Sequence, residues 1–210
     1  MKERSELGGF LFFIGAGVIA VCTMLFVGSC AHQQSAPPPV VEAPAPPPPG
    51  SLTKFSPADE SALLAAIAAS PLATQHPKDG WEKGKCTQPQ FWAALFSALA
   101  KYESSYNTNA TYTEKFADQH GNRVVSRGLL QISVESANGS RYRCGVDEKT
   151  LHVGSVNLAC GVKIAGYWLP LDGVVAGYKD TWLGMSRYWS PFRDAAKLQA
   201  MKSTVKAACL

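Results

Sequence analysis

Residues 87–133 read TQPQFWAALFSALAKYESSYNTNATYTEKFADQHGNRVVSRGLLQIS, and their pattern decides the fold. Trp92, Phe96 and Leu99 recur at i, i+4 and i+7, one stripe of an α-helix at 3.6 residues per turn. Thr87-Gln88-Pro89-Gln90 reads as a capping box that opens this helix, and Asn107 as its end. The next position on the stripe is Glu103, where the pattern asks for an apolar side chain. Ionising a carboxylate away from water is costly, so a glutamate on such a stripe is expected to keep its proton towards neutrality. That is the state a general acid requires. The competing reading is a solvated helix end or half of an ion pair, the commoner setting for a lone glutamate.

The residues downstream of Glu103 favour the acid. Glu103-Ser104-Ser105-Tyr106-Asn107 is succeeded, about twenty residues on, by Gly128-Leu129-Leu130-Gln131-Ile132. The two motifs in this order resemble the goose-type lysozymes and soluble lytic transglycosylases of glycoside hydrolase family 23, over roughly Gln90 to Arg193. Their pattern is a helix ending in Glu-Ser-x-aromatic-Asn/Asp, then a Gly-Leu-Met-Gln-like segment. The resemblance implies a mainly α, lysozyme-like domain that takes peptidoglycan glycan strands and uses no cofactor. It makes Glu103 the acid that protonates the oxygen between MurNAc and GlcNAc, then the base. It casts Ser104, Leu130 and Gln131 as substrate-binding residues, with Leu130 where many members have Met. Tyr188, in Arg187-Tyr188-Trp189-Ser190, stands where the family often has the tyrosine of Ala-Tyr-Asn-Ala-Gly, but the Asn and Gly are missing.

One acid allows two chemical outcomes. Activation of the muramyl 6-hydroxyl gives a 1,6-anhydro product, and a lytic transglycosylase of this kind is the leading expectation. Activation of water gives a reducing sugar and a lysozyme. Glu114 and Asp118, between the motifs, are candidates for a second carboxylate that would favour water, or for contact with a cationic, deacetylated glucosamine; solvated arm charges are the bland alternative. A wall-binding lipoprotein without catalysis is the reading from another class. Trp168, Trp182, Trp189 and Tyr142 could stack on sugars, though tryptophan in a small helical domain is more often core.

Outward from this stretch, helix signals recur. Ser56-Pro57 with Asp59 opens a helix through Ala69 that Pro71 stops, and Asn157 is expected to cap one running through Trp168 to a stop at Pro170. Ser190-Pro191 is expected to open the last helix, with Phe192, Ala195, Met201 and Val205 on its apolar face. Asn109 to Arg127 is polar, with Gly121-Asn122 before Val124-Val125, and reads as an irregular arm or short β-hairpin.

The expected domains are a signal peptide or anchor over 1–29, a lipidated cysteine and proline-rich linker over 30–55, and the catalytic domain over 56–210. Lys2 and Arg4 precede the apolar run Leu7 to Val27, long enough to span a bilayer, which closes on Val27-Gly28-Ser29-Cys30. The small residues before Cys30 resemble a bacterial lipobox, which makes Cys30 the lipidated residue; retention of the run as an inner-membrane anchor is the alternative. Either places the domain on the periplasmic side of a membrane in a bacterial envelope. The prolines after Cys30 favour an extended spacer.

Of six cysteines, Cys86, Cys144, Cys160 and Cys209 fall in the exported part, where an even number suggests two disulfides. Three pairings are open, and the expected one is Cys144–Cys160 with Cys86–Cys209. The wide spacings and lack of nearby histidines argue against a metal. The formal charge of +4 suits anionic wall polymers without requiring them, and no basic-aromatic array suggests nucleic acid.

Overall fold

The computed structural model describes residues 52–210. The apolar run, Cys30 and most of the proline-rich stretch lie outside the described residues. Among the described residues no helix is long and apolar enough to cross a membrane.

The first helix, α1 (Pro57–Ala68), starts where Ser56 Oγ accepts the Asp59 amide at 3.2 Å. A 3-10 turn at Pro71–Thr74 comes next. The packing reaches back before the helix: Thr53 and Phe55 are buried, and Phe55 meets the edge of Tyr106 at 6.3 Å.

Helix α2 (Gln88–Glu103) forms the centre of the domain. Its capping box is present, with Gln90 Oε1 accepting the Thr87 amide at 2.8 Å. The sequence suggests one apolar stripe, but every residue from Phe91 to Ala100 is buried. A helix that is apolar all round belongs inside, and α1, α5 and the turns at Pro71 and Ser190 enclose it. Trp92, wholly buried, donates its indole N–H to the Leu72 carbonyl at 2.8 Å. The helix ends at Glu103 rather than Asn107. Ser105 and Tyr106 take positive φ (52° and 65°), which turns the chain off the axis, and the Asn107 side chain accepts the Asn109 amide instead.

The arm between the motifs is a hairpin of β1 (Thr111–Ala117) and β2 (Arg123–Arg127), with the short β3 (Ile132–Ser133) antiparallel to β2. Helix α3 (Val134–Asn138) and a turn at Thr150–His152 lead to α4 (Gly154–Asp172). This helix starts before Asn157 and runs past Pro170. Asn157 therefore sits inside its first turn, wholly buried, rather than at its cap. Pro170 lies in the last turn, where its missing N–H affects only the end of the ladder, and Gly173 in the left-handed region (φ 70°) closes the helix.

A second hairpin, β4 (Ala176–Lys179) with β5 (Thr181–Gly184), was not expected from the sequence. Its signal is there: Tyr178 and Trp182 are strong strand formers facing each other across the pair. Ser190–Arg193 forms a 3-10 turn, and the last helix, α5 (Ala195–Ala208), begins after it, because Asp194 accepts the amides of Ala196 and Lys197. Phe192, Met201 and Val205 are buried as expected, whereas Ala195 is exposed.

Both expected disulfides are present. Cys86–Cys209 joins the entry of α2 to the end of α5, and Cys144–Cys160 joins the loop after α3 to α4. The architecture of the described residues is mainly α with two small antiparallel sheets.

Candidate active site

Glu103 is the last residue of α2, where the buried helix emerges into a cleft of about 410 Å³. The walls come from three places. The arm gives Glu114, Phe116, Val124 and Ser126; the segment around β3 and α3 gives Gln131, Ser133, Glu135 and Ser136; the C-terminal turns give Arg187, Tyr188, Trp189, Ser190 and Arg193. Burial pushes the Glu103 carboxyl up to about 7, and the charge of Glu114 adds to the rise; Lys197 and Arg193 pull against it. Among the described residues no ion pair involves Glu103 or Glu114. A carboxyl balanced in this way is part protonated at neutral pH, able to give a proton and then receive one.

Glu114 is set by an irregularity in the arm. Thr113 pairs with Val125 and Ala117 with Arg123, so three β1 residues face a single β2 residue. Such a bulge bends a strand and re-aims its side chains. Here the Glu114 carbonyl accepts Arg123 Nη1 at 3.1 Å, and Glu114 Oε1 accepts the Ser126 hydroxyl at 2.8 Å. Asp118 stays out of the cleft lining. Its carboxylate closes the hairpin turn by accepting the amides of His120 and Asn122, and these bonds, the one from Asn122 foremost, hold its pKa below the usual range.

The Gly128–Gln131 segment is a fixed floor. Asn157 Oδ1 accepts the Leu130 amide at 2.9 Å, while its Nδ2 donates to the carbonyls of Arg127 and Leu151. Trp189 donates its indole N–H to the Leu130 carbonyl at 2.9 Å, and Ser104 Oγ donates to the Leu129 carbonyl at 2.8 Å. Gly128 has φ 75°, and a Cβ there would lie 2.1 Å from the Leu151 carbonyl oxygen. No other residue type fits this position.

These contacts revise several expected roles. Leu130 is wholly buried, packed beside Gly161 and Phe96, so it is core and not a cleft wall. Ser104 braces the end of α2 against the floor. Gln131 does line the cleft, with its amide N–H groups donating to the carbonyls of Ala110 and Gly128. Tyr188 also lines the cleft; its hydroxyl bonds Ser136 Oγ at 2.6 Å, and burial pushes its pKa up to about 12. Trp189 borders the cleft but is almost wholly buried. Trp168 lies outside the lining, bonded to Tyr142, with the guanidinium groups of Arg187 and Arg141 at 4.6 and 5.4 Å from its ring centre. Trp182 lies beneath the Arg193 guanidinium at 5.5 Å.

Phe116, Glu135, Ser136, Arg187 and Arg193 are lining residues that sequence reasoning missed. The signal for Phe116 was its place two residues after Glu114 on the arm, and that for Arg187 its place directly before Tyr188; the others belong to no local pattern. Among the described residues no group of three or more His, Cys, Asp or Glu side chains is placed to hold a metal ion.

Three solved structures match the chain: DslA, the Bd0314 protein of Bdellovibrio, in a wild-type form and in two mutants. Each is 34% identical, with a TM-score of 0.67, and the match covers 74% of this chain and 92% of the DslA chain. The chain belongs to the DslA family of lysozyme-like proteins. Each DslA mutant exchanges one glutamate for glutamine, at positions 143 and 154 of that chain, a spacing of 11 residues. No protein-family model and no curated protein matches the chain.

Proposed function

We propose that this DslA relative is a peptidoglycan muramidase that cleaves the β-1,4 bond between MurNAc and GlcNAc with Glu103 as general acid and then base. The observation that carries the reading is a carboxyl raised to about 7 at the end of a buried helix, lining a cleft of about 410 Å³. The DslA mutants lend support. Glu103 and Glu114 are also 11 residues apart, and no other two glutamates of this chain have that spacing.

In the proposed reaction the Glu103 proton passes to the bridging oxygen as the bond to the anomeric carbon breaks. Positive charge develops on the sugar, and the anionic Glu114 opposite stabilises it. The Glu103 carboxylate then takes a proton from the attacking nucleophile. A second carboxylate in the cleft gives water a hydrogen-bonding partner near the anomeric carbon. We therefore favour hydrolysis, with a reducing end, over the 1,6-anhydro product that the family resemblance first suggests. Gln131 and Tyr188 are proposed to border the bound sugar. The lipobox-like stretch at Cys30 would tether the enzyme by lipid to the periplasmic side of an envelope membrane, the proline-rich spacer giving it reach into the wall.

Digestion of peptidoglycan, N-acetylated and de-N-acetylated, by the wild type and by Glu103→Gln tests the reading. Cleavage by the wild type with loss in the variant is expected. Persistent cleavage in Glu103→Gln, or none by the wild type on either substrate, overturns it. Mass spectrometry of the products distinguishes reducing ends from anhydro ends, which are lighter by one water. Labelling with radioactive palmitate, lost in Cys30→Ala, tests the tether.

A further inference from the structure

The cleft holds one side chain that neither packing nor acid chemistry explains. Phe116 lines it, yet the residue is 61% exposed. Leaving an aromatic ring in water forgoes the burial that normally stabilises it, and the fold offers Phe116 no core to join. Its position is specified rather than incidental. Phe116 lies in the same bulge as Glu114, and the Arg123 bond to the Glu114 carbonyl holds that bulge in shape. Across the bulge on β2, Val124 is buried and adds apolar surface to the same wall, to which Glu114 and Ser126 add polar atoms.

A flat apolar face flanked by acceptors matches a pyranose ring, which has an apolar C–H face and hydroxyls around its rim. We propose that Phe116 is a sugar-stacking residue: it takes the C–H face of a hexosamine ring of the glycan strand lying along the arm wall of the cleft. The inference rests on the reading of the cleft as a glycan site and adds to it a residue that binds substrate without entering the acid–base chemistry. Continuity with the Glu103 cleft selects a sugar over a partner protein, because an occupant of this wall also reaches Glu103.

The test uses the full-length chain. In a Glu103→Gln background, binding of the N-acetylglucosamine tetramer is measured by calorimetry, and peptidoglycan turnover is measured with Glu103 intact. Phe116→Ala is expected to weaken tetramer binding and raise KM by about tenfold, with kcat within twofold, and Phe116→Trp to restore both. Tyr112→Ala, which removes another exposed ring from β1 outside the cleft lining, is expected to change neither. Because the Phe116 ring is exposed, its removal should leave the melting temperature unchanged. Equal binding by Phe116→Ala and its parent overturns the proposal, as does a loss in Tyr112→Ala matching that in Phe116→Ala. Wild-type turnover of peptidoglycan that is indifferent to Phe116 overturns this proposal and leaves the muramidase reading intact. Tetramer binding that depends on Phe116 without any turnover by the wild type does the reverse.

Discussion

The floor and the arm of the cleft are built on opposite principles. From Gly128 to Gln131 the floor is held by buried bonds from Asn157, Trp189 and Ser104, and its Leu129 and Leu130 side chains are core. Along β1 only Glu114 is even part-buried, and the strand is held by pairing to β2 alone, which is interrupted by the bulge. The floor locates the end of α2 and offers little to a ligand; the arm offers Glu114 and Phe116 and contributes little to the core. The motif that resembles the glycoside hydrolases is thus chiefly a structural clamp, and part of the chemistry is carried by an exposed strand whose local sequence looks ordinary.

The comparison breaks most completely at Gly128. Gly128→Ala forces a Cβ onto the Leu151 carbonyl at positive φ, and little soluble folded protein is expected on expression. Asn157→Ala removes one side chain from three backbone groups. It should cost about 3 kcal/mol or more of stability, read from the urea midpoint. A loss under about 1 kcal/mol would mean that the floor does not depend on this clamp.

On the arm, Glu114→Gln should change stability by less than about 0.5 kcal/mol, the usual range for a surface substitution. Turnover should nevertheless fall by about one to two orders of magnitude. Removing the charge that helps to raise Glu103 should also move the alkaline limb of the pH–rate profile to lower pH. An unmoved limb would dissociate the two carboxylates. Asp118→Asn, outside the cleft lining, should leave turnover unchanged.

Glu103 couples both regions to pH. Its carboxyl is raised in the fold, so between the usual carboxylate range and about 7 the folded state holds a proton that the unfolded state has lost. Stability from this group is therefore full at low pH and falls as pH rises through that window. Relative to wild type, Glu103→Gln should melt higher at pH 8 and gain little at pH 4. Wild-type turnover should decline as pH passes 7, because the acid form is lost.

The sequence by itself determined the central helix, its capping box, the placement of a carboxylate on its apolar stripe, the hairpin arm and the number of half-cystines in the domain. These are local matters: periodicity, turn residues and composition are legible within a few residues of each position. It also suggested that Leu130 faces substrate and that Asn157 caps a helix, and there it misled. Local pattern shows that a leucine or an asparagine is apt for a place, but not which distant backbone it will meet. Tertiary structure alone decided that Asn157 clamps a segment 27 residues away, that the bulge directs Glu114 rather than Asp118 into the cleft, and that Arg187 and Arg193 complete its far wall. The raised pKa of Glu103 has both origins. Its position on the helix is written in the sequence, whereas the desolvation that raises it comes from surfaces brought together only by folding.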